Sequence, residues 1–358
     1  MHQGKNAFIR PDLISEHLVE PRSHNTLTTR NDLRLHPLLH ACPIWPHLLW
    51  HHMLPRYAYH LIALDKHTPF YIYDVTPTRH LVNHCLLHEN WSLPKMDSLG
   101  KDRITPMDPG LSLSEVQAAQ TPPEIASMQS VDYGGTVGSL QYLSCTTRPY
   151  IAYTVGQLAS FTSNPSTIHW NAVKHLFRYI KGTMDYGITY SPDPSTCQLF
   201  STYSDANHGG CKDSGRSTGA YIVKIGTGVV SWMSKRQPIV ALSTTEAEYI
   251  AACEAGKEVV WICKLLEELG FPMDQSSILH IDNQSAIQVA KHPEHHGRMK
   301  HLDLRWFWPR DVVDKGIISP NFVPTDQMPA DLLTKALPRV KVEGLCQMLG
   351  LARTGGSK

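Results

Sequence analysis

The chain has 358 residues, 42% of them apolar, which is enough to build a buried core and excludes a wholly disordered protein. Lysine and arginine total 33 against 32 acidic residues, so any surface that attracts nucleic acid has to be local. The eight cysteines are scattered without a CxxC pair, which argues against a disulfide scaffold or a cysteine-rich zinc module. No apolar run has the length of a membrane span, so the expected setting is cytoplasm or nucleus, with no membrane partner.

Histidine, proline and leucine crowd the region before residue 90, where no helical or strand period is sustained. Prolines 46 and 55 interrupt its most apolar stretch, and no fold is assigned to 1–103. The segment 105–127, rich in Pro, Ser and Thr, reads as a connector. A helix is expected through YIAYTVGQLASFTS, stopping before Pro165. A second runs through HWNAVKHLFRYIKGT, with Ala172, Val173, Leu176, Phe177 and Ile180 on one face and Lys174, Arg178 and Lys181 on another. That basic row reads either as a solvated face or as a row of phosphate contacts.

From residue 197 the pattern becomes α/β. LFSTYSDA reads as a strand ending in a carboxylate, and AYIVKI and VVSWMS as a hairpin about Gly226-Thr227-Gly228. Ser243 or Thr244 caps a helix from Thr245 to about Leu269, and SILHI is a strand running into Asp282 and a short helix, NQSAIQVAKH. IISPNFVP is the last strand, and DQMPADLLTKAL is expected to carry the last helix. Trp232 and Trp261 fall where core residues are expected.

Asp205, Glu248, Asp282 and Asp331 therefore fall at strand ends or on the helices beside them, and in an α/β sheet those positions converge on one edge. Carboxylates crowded at such an edge repel unless a hard cation such as Mg²⁺ joins them; two ions about 3.5 to 4 Å apart would suit phosphodiester hydrolysis. The plainer reading makes Asp205 and Asp282 turn or cap residues. The cluster His292/His295/His296/His301 lacks cysteines and the regular ligand spacing of a zinc site, and His80/His84/Cys85/His88, though at helical spacing, reads as the composition of a histidine-rich tract.

Between Ile104 and Leu349 the sequence resembles the carboxyl-terminal part of the Pol polyprotein of Ty1/copia-type retrotransposons. The motifs include ITPMDPGLSLS (104–114), HWNAVKHLFRYIKGTMDYGITYS (169–191), YSDANHGGCKDSGRSTGAYIV (203–223), SWMSKRQPIVALSTTEAEYIAACEAGKE (231–258), IDNQSAI (281–287) and VPTDQMPADLLTKAL (323–337), in the family's order. The resemblance implies four regions: an unassigned 1–103, the end of a reverse transcriptase (thumb or connection) over 104–192, a ribonuclease H-like domain over 197–340, and a tail at 341–358. It implies an α/β fold with a mixed five-stranded sheet and flanking helices. Asp205, Glu248, Asp282 and Asp331 match the family's catalytic set, which holds two Mg²⁺ ions, or Mn²⁺ in their place. Glu248 is preferred to Glu246 for the residues that follow it, and Asp303 is the runner-up to Asp331. Lys174, Arg178 and Lys181 then look like a grip on nucleic acid.

The activity implied is endonucleolytic cleavage of RNA in RNA–DNA hybrids, with other retroelement Pol products as further partners and no small-molecule cofactor. The chain carries no YxDD polymerase motif, so no reverse transcriptase activity is expected. The alternative is an inactive retroelement remnant that at most binds nucleic acid; Pro309, inside WFWPRDVV, is expected to kink or break a helix there at a cost of about 3 kcal/mol.

Overall fold

The structure, a computed structural model, describes residues 100–191, 198–271, 275–291 and 308–353, with no side-chain description for 308–310. All of them lie in the compact unit Met53–Lys358. The two histidine clusters and Asp303 fall outside the described residues.

Largely buried strands, whose successive side chains pack to opposite faces, build the sheet. Its strands are β2 (Phe200–Asn207), β3 (Thr218–Ile225), β4 (Gly228–Arg236), β5 (Ser277–Ile281) and β6 (Ile318–Phe322), in the order β4-β3-β2-β5-β6. The first three are antiparallel neighbours; β5 runs parallel to both β2 and β6. This is the mixed five-stranded α/β sheet expected. Gly226, at φ +56°, supplies the left-handed residue of the two-residue turn between β3 and β4. Pro320, which has no N–H to donate, sits in the edge strand β6, where a proline is tolerated.

The two faces are covered differently. Val223, Ile225, Leu279 and Ile281 pack against the small and apolar residues of the long helix α5 (Thr244–Glu268), among them Ala255, Val259 and Ile262. The alternate residues Ala220 and Ile222 point the other way, into a core with the helices α2 (Tyr133–Thr146), α3 (Ala152–Ala159) and α4 (Thr167–Gly182). A shorter helix, α1 (Pro122–Gln129), precedes these. Each fully buried Leu, Ile or Phe in these cores contributes about 1.5–3 kcal/mol. Trp232 joins the two parts directly, its Nε1 donating to the Ser144 carbonyl of α2 at 2.8 Å. The helical segment and the sheet thus share one core.

Three elements differ from the sequence expectation. Asp331 does not lie on an α-helix: 325–333 forms two short 3₁₀ turns, Thr325–Gln327 and Pro329–Leu333. Pro329 can open a helical turn but not continue one from the residues before it, so it separates the two, and Met328 is extended, as a residue before proline tends to be. The last helix is α8 (Arg339–Met348), after α6 (Gln284–Lys291) and α7 (Trp308–Asp314), and what reads as a tail holds most of it and a strand, β7 (Leu351–Arg353). β7 pairs with β1 (Tyr186–Ile188). Trp261 is not a core residue; it stands 43% exposed on α5. Pro309 is the second residue of α7 as described, and any continuation of that helix before Trp308 lies outside the described residues.

Gly350 seats this carboxyl-terminal strand. At φ +76° it lies so close to the β3–β4 turn that a Cβ would meet Thr227 O at 2.6 Å and Thr189 O at 2.8 Å. Left-handed strain of about 1–2 kcal/mol plus a clash with backbone that cannot swing away makes Gly350→Ala cost about 2 kcal/mol or more. Urea denaturation measures it; a loss under about 0.5 kcal/mol would contradict the close approach.

Candidate active site

The parallel register of β2 and β5 sets Ser204 beside Ile281. The residue after each is an aspartate, Asp205 still within β2 and Asp282 just past the end of β5, so the two meet toward the carboxyl ends of these neighbouring strands. Glu248 reaches the same edge from the second turn of α5, whose start is fixed by Ser243: its side chain accepts from Glu246 N. One oxygen from each of Asp205, Glu248 and Asp282 lies within 4.8 Å of the others. Asp331 is not part of this three-residue group. It approaches Asp205 from the 3₁₀ turn, and Lys335 links the two, its Nζ 2.7 Å from Asp331 Oδ1 and 3.8 Å from Asp205 Oδ2.

Each carboxylate is aimed by a donor. Ala206 N–H donates to Glu248 Oε1 at 3.1 Å, Thr325 Oγ1 to Asp282 Oδ2 at 2.8 Å, and Thr334 Oγ1 to Asp205 Oδ2. Asp205 and Asp331 are almost wholly buried, Glu248 is 7% exposed and Asp282 is half-buried. Glu246 is buried too but points elsewhere, accepting from Leu242 N at 2.9 Å as a helix cap does. Thr325, Thr334 and Lys335 have no place in the sequence reading; the only signal for them is nearness to Asp331 in PTDQMPADLLTK.

The electrostatics are those of an acidic pocket short of positive charge. Burial pushes the Glu248 carboxyl up to about 10, with the charges of Asp205 and Asp282 adding to the rise and Ala206 N–H and Lys335 opposing it. Burial raises Asp205 and Asp282 as well, while Lys335 pulls both back. Glu248 Oε2 is buried without a hydrogen-bond partner, an arrangement that costs about 1–3 kcal/mol unless something fills the place. Hard carboxylate oxygens, three of them converging and one unpartnered, fit a divalent cation.

The basic row lies on α4. Lys174, Arg178 and Lys181 are half-buried on the side away from Leu176, Phe177 and Ile180. Residues 102–105 run along this helix: Asp102 pairs with Lys181 at 3.9 Å and the Thr105 carbonyl lies 2.9 Å from His175 Nε2. The row is therefore partly occupied by the chain itself.

Comparison with known proteins decides the ancestry of this arrangement. The chain is 40% identical over 248 residues to the retrovirus-related Pol polyprotein of transposon TNT 1-94 from Nicotiana tabacum, covering 69% of this chain and 18% of that protein. It is 39% identical over 222 residues to that of transposon RE2 from Arabidopsis thaliana, covering 62% of this chain and 15% of the relative. The chain is a relative of the copia-type transposon Pol polyproteins. It spans less than a fifth of the length of these two relatives. No protein-family model matches it. Among solved structures it is similar to LC11 RNase H1 in complex with an RNA/DNA hybrid, at 13% identity over 38% of this chain and 93% of that one, with a TM-score of 0.27. Among the described residues no helix is long and apolar enough to cross a membrane.

A pH dependence follows from Glu248. Its pKa in the metal-free fold lies above the ordinary 4.5, so between about pH 4.5 and 10 the folded state holds a proton that the unfolded chain has released. Metal-free stability should therefore fall as pH rises through that window. Glu248→Gln should flatten the slope and raise the melting temperature at pH 8 in EDTA, and Mn²⁺ should stabilise the wild type far more than the variant. Thermal melts at pH 5 to 9 measure both; a wild type unmoved by pH and Mn²⁺ would contradict the crowded site.

Proposed function

We propose that this chain is a retrotransposon-derived nuclease of the ribonuclease H type, which hydrolyses phosphodiester bonds of RNA in RNA–DNA hybrids and does not polymerise DNA. The observation that supports this reading is the meeting of Asp205, Glu248 and Asp282 at the carboxyl edge of a mixed sheet, with one buried Glu248 oxygen left for a ligand. Asp205, Glu248 and Asp282 would hold a first Mg²⁺ or Mn²⁺, and Asp331 with Asp205 a second. The chemistry supplied at such a site is Lewis-acid polarisation of the scissile phosphate and activation of a water at neutral pH.

The remaining work belongs to the chain. Thr325, Thr334 and the Ala206 N–H fix the carboxylate rotamers before substrate arrives, so little reorganisation is left to the reaction. Lys174, Arg178 and Lys181 contact phosphates of the hybrid and set affinity without reading sequence. Residues 104–192 are the end of a reverse transcriptase, and other Pol products of the element are the natural protein partners.

The full chain, incubated with a labelled RNA–DNA hybrid, should cut the RNA strand with Mg²⁺ and not in EDTA. Asp282→Asn should abolish cleavage and leave hybrid affinity nearly intact, since no phosphate-gripping cation is removed. Neutralising Lys174, Arg178 and Lys181 should instead weaken binding and make its salt dependence shallower, by up to about 0.9 in log–log slope for each phosphate no longer gripped. A wild type that binds the hybrid and never cuts it is the outcome expected of a remnant; full activity in Asp282→Asn would refute the metal site.

A further inference from the structure

Asp205 has neighbours of two kinds. On one side stand Glu248 and Asp282, with an unpartnered Glu248 oxygen between the elements that carry them. On the other stands Asp331, and that side is filled: the Lys335 ammonium touches Asp331 Oδ1 and faces Asp205 Oδ2, the oxygen to which Thr334 also donates. The winding of one turn brings this about, because Lys335 follows Asp331 by four residues and its N–H bonds back to the Asp331 carbonyl. The Asp205 and Asp331 side chains are 2% exposed but that of Lys335 is 34% exposed, so the ammonium has a path to water that the carboxylates lack.

Charge decides what this means. With all four carboxylates ionised, as cation binding requires, the one ammonium leaves the pocket three charges negative. One divalent cation leaves it one negative; a second with the ammonium still in place would leave it one positive, with two cations drawn to the one Asp331 carboxylate. The ammonium already lies against Asp331 Oδ1 and faces Asp205 Oδ2, so a second ion at this pair meets a like charge and competes with Lys335 for those oxygens.

We propose that Lys335 is the resident cation of the Asp331 side of the site: the chain binds one divalent ion at Asp205, Glu248 and Asp282, and admits a second at Asp205 and Asp331 only by displacing the Lys335 ammonium. The proposal rests on the metal-binding reading of the carboxylates and adds to it a competitor built into the chain. Lys335 is a positioning residue, acting through the ligands and not on the substrate, and it makes loading of the second ion depend on metal concentration.

Mn²⁺ binding to the full chain, counted through the signal of free Mn²⁺ in electron paramagnetic resonance, tests it without any assay of activity. The wild type should bind one ion tightly and a second weakly. Lys335→Gln should tighten the second site about tenfold or more, within the usual range of coupling between sites, and leave the first nearly unchanged. Lys335→Arg, which keeps the charge, should behave as the wild type. Lys335→Gln with both affinities unchanged overturns the proposal and leaves the metal site standing; a wild type that binds no Mn²⁺ overturns both.

A second measurement needs no variant. Acetylation of Lys335 by acetic anhydride, followed by mass spectrometry of the wild type, should be slow in EDTA and rise at Mn²⁺ concentrations that load the second site. Acetylation that falls or stays constant across that range overturns the displacement.

Discussion

Buried carboxylates that approach within 4.8 Å cannot all carry charge unless a cation joins them, and the architecture of this protein is arranged around that constraint. A sheet that only needed stability would put apolar residues where Asp205 and Glu248 stand. Here each acidic side chain is instead met by a donor: a backbone N–H for Glu248, Thr325 for Asp282, and Thr334 with Lys335 for Asp205. These donors relieve part of the repulsion and fix the geometry. They do not satisfy Glu248 Oε2, which is the place left for a ligand.

The parts of the fold far from the site explain how those donors are held. Met328, Ala330 and Leu333 are fully buried in the core formed with α2, α3 and α4, and the turn between them carries Asp331 to the sheet edge and Thr334 and Lys335 beyond it. The Ser234 hydroxyl, from β4, donates to the Leu333 carbonyl at 2.6 Å and ties the same turn to the sheet. The helical segment 104–182 is therefore more than an appendage. By packing against the turn, it fixes the side of the site that Lys335 occupies.

The sheet is legible in the sequence because its strands are short runs rich in apolar and β-branched residues and the β3–β4 turn carries glycine; Asp205 and Asp282 follow from the ends of those strands. Choosing Glu248 over Glu246 takes the family resemblance, since both lie in the first turns of α5 and both are buried; only the cap bond from Leu242 N shows that Glu246 is committed to the helix end. The turn at 325–333 reads as helix in the sequence, although three prolines punctuate its surroundings. The spacing of Val342, Leu345 and Cys346 is a helical signal, but a short one, set in a stretch that otherwise reads as a tail. The β1–β7 pairing joins residues over 160 positions apart, and no local pattern encodes it. Lys335 is illegible for a related reason: one lysine after an acidic turn is ordinary in sequence, and its role exists only once the turn meets the end of β2.

The central claim is that Asp205, Glu248 and Asp282 form a divalent cation site. Anomalous diffraction from crystals of the full chain grown in Mn²⁺ tests it most directly. The account predicts a peak about 2.1 Å from one oxygen of each of the three residues, on the side of Glu248 Oε2. Crystals with no peak there, or with Mn²⁺ bound only elsewhere on the protein, would contradict it.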